Sequence, residues 1–139
     1  MQSYFYLYLN SFTSTIPTQL GQLSKLKSNI QLYQNSLTGS LPTELGHITA
    51  NMARFEIYGN WLTSSIPTEV GNMKNTPNVH SNRLSSSIPT ELGMATTLQT
   101  GFYLYNNLLS STIPTQLGSF VHDLVNTTLP HLHTVEASL

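Results

Sequence analysis

Asn35-Ser36-Leu37-Thr38-Gly39-Ser40-Leu41-Pro42-Thr43-Glu44-Leu45-Gly46 is one of five near-copies of a single twelve-residue block. The closing pattern Ile-Pro-Thr-x-Leu-Gly begins at Ile16, Leu41, Ile66, Ile88 and Ile113, at spacings of 25, 25, 22 and 25 residues. Asparagine stands six residues ahead of each copy, at Asn10, Asn35, Asn60, Asn82 and Asn107, and an apolar residue stands two places after each asparagine, at Phe12, Leu37, Leu62, Leu84 and Leu109. Recurrence at a fixed period of this size marks a tandem array whose units bury their apolar sides against one another.

Upstream of each asparagine, apolar residues alternate: Phe5 and Leu7, Ile30 and Leu32, Phe55 and Ile57, Pro77 and Val79, Phe102 and Leu104. A period of two predicts a short strand with one buried face. Pro77 lacks a backbone donor, so the fourth strand is expected to be weak, within a weak segment at 72–79. Downstream, the residue before proline is biased to extended geometry, and proline is expected at the first position of a short 3₁₀-like turn. Gly21, Gly46, Gly71, Gly93 and Gly118 are expected to end these turns in the left-handed conformation.

The composite pattern x-Leu-x-Leu-x-x-Asn-x-Leu-x-Gly-x-Ile-Pro-x-x-Leu-Gly resembles the plant-type leucine-rich repeat, over roughly residues 4–120. Ile-Pro-Thr-Glu-Leu-Gly with Leu-Tyr-x-Asn is similar to algal and diatom arrays and to receptor-like ectodomains of that family. The resemblance implies a solenoid, an α/β horseshoe-like right-handed superhelix. Parallel strands would line the concave face, with short 3₁₀ turns and irregular loops on the convex face. It also implies recognition of a protein, peptide or glycan, and an extracellular or cell-surface setting in a longer protein, a cytoplasmic one being the other option. The family glycine before Ile-Pro survives only as Gly39; Ser14, Ser64, Ser86 and Ser111 replace it.

Within such a stack, a bend leaves backbone amides that cannot reach water, and the five asparagines are expected to satisfy them as a buried ladder. Glu44, Glu69 and Glu91, with Gln19 and Gln116 as variants, fall in the first turn after proline, where a carboxylate meets the positive end of the helix dipole.

Composition narrows the function. The chain has 139 residues, enough for one domain; 8% are charged, the formal net charge is −1, and there are no cysteines. That charge balance argues against a nucleic-acid binder, which would show a basic stripe, and against an electrostatic membrane anchor; the lack of cysteine excludes disulfides, thiol catalysis and cysteine-ligated zinc. No apolar run approaches the roughly 18 residues of a membrane span. An enzyme is disfavoured because repeats place like residues in columns, whereas catalysis needs unlike residues converging on one point. His122-Asp123 has no nucleophile placed against it. His131 and His133 lack a third ligand, so no metal or cofactor is expected. Asn126-Thr127-Thr128 is a lone glycosylation pattern and weak evidence of secretion.

Two exposed arrays remain as candidates. On the strand face, the position two before each asparagine reads Tyr8, Tyr33, Tyr58, His80, Tyr105, an aromatic stripe repeating at about 4.8 Å. Beside it run Tyr6, Gln31, Glu56, Asn78, Tyr103 and then Tyr4, Asn29, Arg54, Thr76, Gly101. Tyrosine offers rigid area with a polar tip, suited to protein, peptide or sugar ligands, although stacked aromatics also stabilise strands unaided. On the flank, two hydroxyl columns recur. The first is Thr13, Thr38, Thr63, Ser85 and Ser110; the second, two residues on, is Thr15, Ser40, Ser65, Ser87 and Thr112. Together they would form a flat hydroxyl grid if that stretch is extended. Such a grid resembles ice-binding surfaces and is the alternative function, as a structural or ice-binding protein.

The organisation expected is an array of about five coils over 1–118, uncapped at its N-terminus, with 119–139 a degenerate repeat or an improvised cap. The missing cap suggests a fragment of a longer array with neighbouring repeats absent.

Overall fold

The computed structural model describes residues 4–23, 29–48, 54–74, 77–94 and 103–120, with side chains through 117. Five coils follow one another, each contributing an extended segment, a bend at the asparagine, a second extended segment on the flank and a 3₁₀ turn. On the strand face, β1 (Phe5–Tyr6), β2 (Ile30–Gln31) and β3 (Phe55–Glu56) form a parallel sheet in chain order. Phe5 pairs with Ile30, and Ile30 with Phe55, so equivalent residues lie side by side. The fourth coil joins through a single bridge, Glu56 to Asn78. Pro77, immediately before it, has no N–H to extend the ladder.

The 3₁₀ turns span Thr18–Gln22, Thr43–His47, Thr68–Asn72, Thr90–Met94 and Thr115–Phe120. Prolines 17, 42 and 67 stand one residue outside their turns, with extended ψ near 135–141°, rather than at the first helical position. From there their carbonyls accept the first bond of the turn, as in Leu20 N–H to Pro17 O at 3.0 Å.

The core is a column of equivalent apolar residues: in the third coil alone, Phe55, Ile57, Leu62, Ile66, Val70 and Met73 are all buried. Every alternating apolar residue in the middle coils points inward. In the first coil Phe5 and Phe12 are 36% and 46% exposed, because no described coil covers that end of the stack.

Two backbone expectations are corrected. Gly21, Gly46, Gly71 and Gly93 do not have positive φ. Their requirement is steric: a Cβ at any of them would collide with the backbone carbonyl of the residue facing it in the next coil, at Glu44, Glu69, Glu91 and Gln116. The left-handed residues lie elsewhere, in two columns. One precedes the asparagine (Leu9, Gln34, Gly59, Ser81, Asn106); the other is Ser14, Gly39, Ser64, Ser86 and Ser111.

In that second column the family glycine is the unstrained choice, and Gly39 has φ +77°. Ser64, at φ +69°, holds an L side chain in a region costing about 1 kcal/mol or more. Ser64→Gly is therefore expected to raise stability by about 0.5–1 kcal/mol, read as a higher urea midpoint at unchanged slope. An unchanged or lowered midpoint would show that the serine makes a compensating contact.

Candidate functional site

The asparagines do form the expected ladder. Asn60 Nδ2 donates to Leu32 O of the preceding coil at 3.1 Å and to Ile57 O of its own coil at 3.0 Å. Its Oδ1 accepts from the Leu37 N–H at 3.0 Å. Asn35, Asn82 and Asn107 repeat this arrangement. Asn10, in the first coil, is exposed and, among the described residues, bonds the carbonyls of Leu7 and Tyr8 of its own coil. These residues hold the bends in register and are used up in doing so.

With the bends in register, the stripe residues meet ring to ring. Tyr8 stacks on Tyr33 (centroids 4.6 Å, planes 5° apart), Tyr33 on Tyr58 (4.5 Å, 8°), Tyr58 on His80 (4.4 Å, 15°) and His80 on Tyr105 (4.3 Å, 11°). Both faces of Tyr33, Tyr58 and His80 are occupied by neighbours. What these rings offer outward is edges and polar tips. Tyr103 sets its edge against His80 and Tyr105, at 6.5 and 6.4 Å. Tyr4 and Tyr6 tilt against one another, and Tyr6 against Tyr8, extending the aromatic surface sideways at the first coil.

The adjoining column is polar. Gln31 Nε2 donates to Glu56 Oε2 at 2.6 Å, and Arg54 lies 3.8 Å from the Glu56 carboxylate. Asn29 Nδ2 reaches the Tyr6 hydroxyl at 3.5 Å. Asn78 Oδ1 is buried and has no hydrogen-bond partner among the described residues. Thr76 and Gly101, the remaining members of the third column, lie outside the described residues, as do His122, Asn126, His131 and His133.

Loss of water contact raises the Tyr33 and Tyr58 phenols above their ordinary pKa. The neighbouring phenols and the Glu56 carboxylate add to this. Tyr33 and Tyr58 therefore keep their hydroxyl protons at physiological pH. Burial lowers the His80 imidazole, whose Nδ1 lies 2.9 Å from Ser81 Oγ.

On the flank, Thr13, Thr15, Thr38, Ser40, Thr63, Ser65, Ser87, Ser110 and Thr112 are exposed and Ser85 is half-buried, but the flat grid is corrected in two respects. A left-handed residue (Ser14, Gly39, Ser64, Ser86 or Ser111) stands between the two hydroxyl positions of every coil, so the stretch is not uniformly extended. Thr15, Ser40, Ser65, Ser87 and Thr112 each follow that residue directly, so they do not continue the extended line of Thr13, Thr38, Thr63, Ser85 and Ser110. The flank ladder is also offset by two residues per coil: Thr15 pairs with Thr38, and β4 (Ser85–Ser86) pairs with β5 (Leu108–Leu109) through Ser85 and Leu108. Rows of hydroxyls therefore run obliquely and meet bulky neighbours, Leu108 directly opposite Ser85.

Sequence reading passed over the residue that follows each ladder asparagine. This column reads Ser11, Ser36, Trp61, Arg83, Leu108. The Arg83 guanidinium carbon lies 4.3 Å from the centroid of the Trp61 ring. The abrupt change of residue type along one column was the available signal.

Among the described residues no cluster of three metal-ligating side chains occurs, and no helix is long and apolar enough to cross a membrane.

No family profile and no curated protein matches the chain. Solved structures do. A TDR receptor matches with TM-score 0.75 and 32% identity, over 95% of this chain and 21% of the receptor. The leucine-rich repeat ectodomain of the Arabidopsis receptor kinase HAESA, in complex with an N-terminally extended IDA peptide hormone, matches with TM-score 0.72 and 32% identity, over 93% and 20%. A plant ice-binding protein shares the fold with TM-score 0.70 at 22% identity, over 84% and 37%. The chain thus spans about a fifth of the length of these receptors. The five-fold period, the in-register strand face and the asparagine ladder agree with these likenesses: the chain is a leucine-rich repeat protein of the plant type.

Proposed function

We propose that the chain is a non-enzymatic recognition module, acting in an extracellular or cell-surface protein, that binds an extended protein or peptide segment along the row Tyr8, Tyr33, Tyr58, His80 and Tyr105. The observation that carries this reading is the unbroken ring stack, which turns five coils into one rigid surface. Rigid aromatic residues with polar tips contribute contact area at little entropic cost. Glu56, Arg54 and Gln31 beside the row supply polar specificity. Because both ring faces of Tyr33, Tyr58 and His80 are already paired, sugar stacking has no open face in the interior of the row, which favours a peptide over a glycan. Peptide-hormone complexes among the structural neighbours agree with this choice.

Panning the chain against a displayed random-peptide library tests the reading. Selected peptides are expected to lose at least about tenfold in affinity when Tyr33, Tyr58 and Tyr105 are all changed to Ser. The triple Phe variant, which keeps the stack and removes the hydroxyls, separates recognition from folding. Binding that persists in both folded variants would overturn the proposal. Faceted ice crystals with thermal hysteresis would favour the flank alternative instead.

A further inference from the structure

The column Trp61, Arg83, Leu108 lies at the bend between strand face and flank, outside the tyrosine row. Backbone bonds from Trp61 N to Leu37 O, Arg83 N to Leu62 O and Leu108 N to Leu84 O, each 2.8 Å, fix these residues on successive coils. Trp61 is 51% exposed and Leu108 61%, so two large apolar side chains face solvent on either side of Arg83 in this column. Arg83 packs its guanidinium against the indole, which removes side-chain freedom before any partner arrives. Among the described residues no carboxylate lies within ion-pair distance of Arg83, whereas Arg54 has Glu56. A guanidinium so placed keeps N–H groups directed away from the ring, in the fork that matches a carboxylate. The two preceding coils carry only Ser11 and Ser36 in this column, so the patch is confined to three coils.

We propose that Trp61, Arg83 and Leu108 form a second interaction surface, which takes an extended peptide segment of another protein bearing an acidic side chain between apolar ones. The carboxylate meets Arg83, and the flanking apolar side chains cover Trp61 and Leu108. Charge complementarity selects this partner: one cation without a carboxylate, bracketed by apolar area. Tryptophan and arginine are also the residue types on which interface energy concentrates.

Trp61 is the chain's single tryptophan, so its fluorescence reports this patch directly. The probe is a capped heptapeptide reading Gly-Leu-Ser-Glu-Ser-Leu-Gly, in which the glutamate and both leucines share one face of an extended segment, compared with its twin carrying Gln in place of Glu. The Glu peptide is expected to change Trp61 fluorescence saturably. Its affinity should exceed that of the twin by about tenfold, the worth of one charge-assisted contact. Arg83→Gln should abolish that difference, and Arg83→Lys should restore part of it. Substituting Tyr33 and Tyr58 should leave the response unchanged, which separates this surface from the tyrosine row. Equal affinity for the two peptides, no saturable change, or a response undiminished by Arg83→Gln would each overturn the proposal.

Discussion

Gly46→Ala is expected to destabilise the array by about 3 kcal/mol or more, the upper end for overpacking. The added Cβ would clash with the Glu69 carbonyl oxygen in the next coil, with the Glu69 carbonyl carbon at 2.8 Å and its Cβ at 2.7 Å. The obstacle is backbone on both sides, so no rotamer change relieves it. The third coil must move away from the second, and that opens the core around Leu45 and Val70. Gly59→Ala provides the comparison within the same fold. Gly59 has φ +65°, and its nearest neighbour is the flexible Gln34 Cγ at 3.2 Å. That change should cost only about 1 kcal/mol, the ordinary penalty for a side chain at positive φ. Urea denaturation followed by Trp61 fluorescence measures both. Equal, small losses at the two sites would show that coils do not approach as closely as the geometry requires.

The same pair of glycines shows how far the fold was legible in the sequence. Period, strand face, ladder and tyrosine row could all be read, because each is one residue type recurring in one column. The role of Gly46 could not. A turn-ending glycine and a glycine needed for close approach look alike locally, and the deciding contact lies in the next coil, at Glu69. Left-handed geometry was equally hidden, since Leu9, Gln34, Ser81 and Asn106 carry no glycine signal. There the bend and its cross-coil bonds impose the conformation. The oblique flank ladder depends on which amide meets which carbonyl between coils, and spacing along one chain cannot supply that. Ser65, Ser87 and Thr112 therefore looked like members of a flat lattice when only their spacing was known. Pro77 worked the other way: a missing N–H is a local property, and it marks the point where the strand-face sheet narrows to one bridge at Asn78. On the binding surface, repetition directed attention to the tyrosines and away from Trp61 and Arg83, whose interest lies in breaking their column.

Asn60→Ala should cost about 3 kcal/mol and loosen two coils at once. The side chain satisfies two carbonyls, Leu32 and Ile57, and one amide, Leu37, at a position only 7% exposed. Truncation leaves the Leu37 N–H without its partner where water has little access, at about 1–3 kcal/mol. Leu32 O and Ile57 O each keep one donor, Asn35 Nδ2 and Asn82 Nδ2, and each loses one hydrogen bond worth about 1 kcal/mol. Asn10→Ala is the control, because its two bonds stay within one coil and solvent replaces them; it should cost less than about 1 kcal/mol. Asn60→Asp keeps an acceptor for the Leu37 N–H but sets a carboxylate against two carbonyl oxygens. It should therefore lose as much as Asn60→Ala at neutral pH. It should recover part of that loss in acid, where the protonated carboxyl donates to one carbonyl again. Urea midpoints at neutral and acid pH, with hydrogen exchange at the Leu37 amide, measure these effects. If Asn60→Ala proves no more costly than Asn10→Ala, the bonds between coils are not what holds the bends in register, and the ring stack built on that register loses its support.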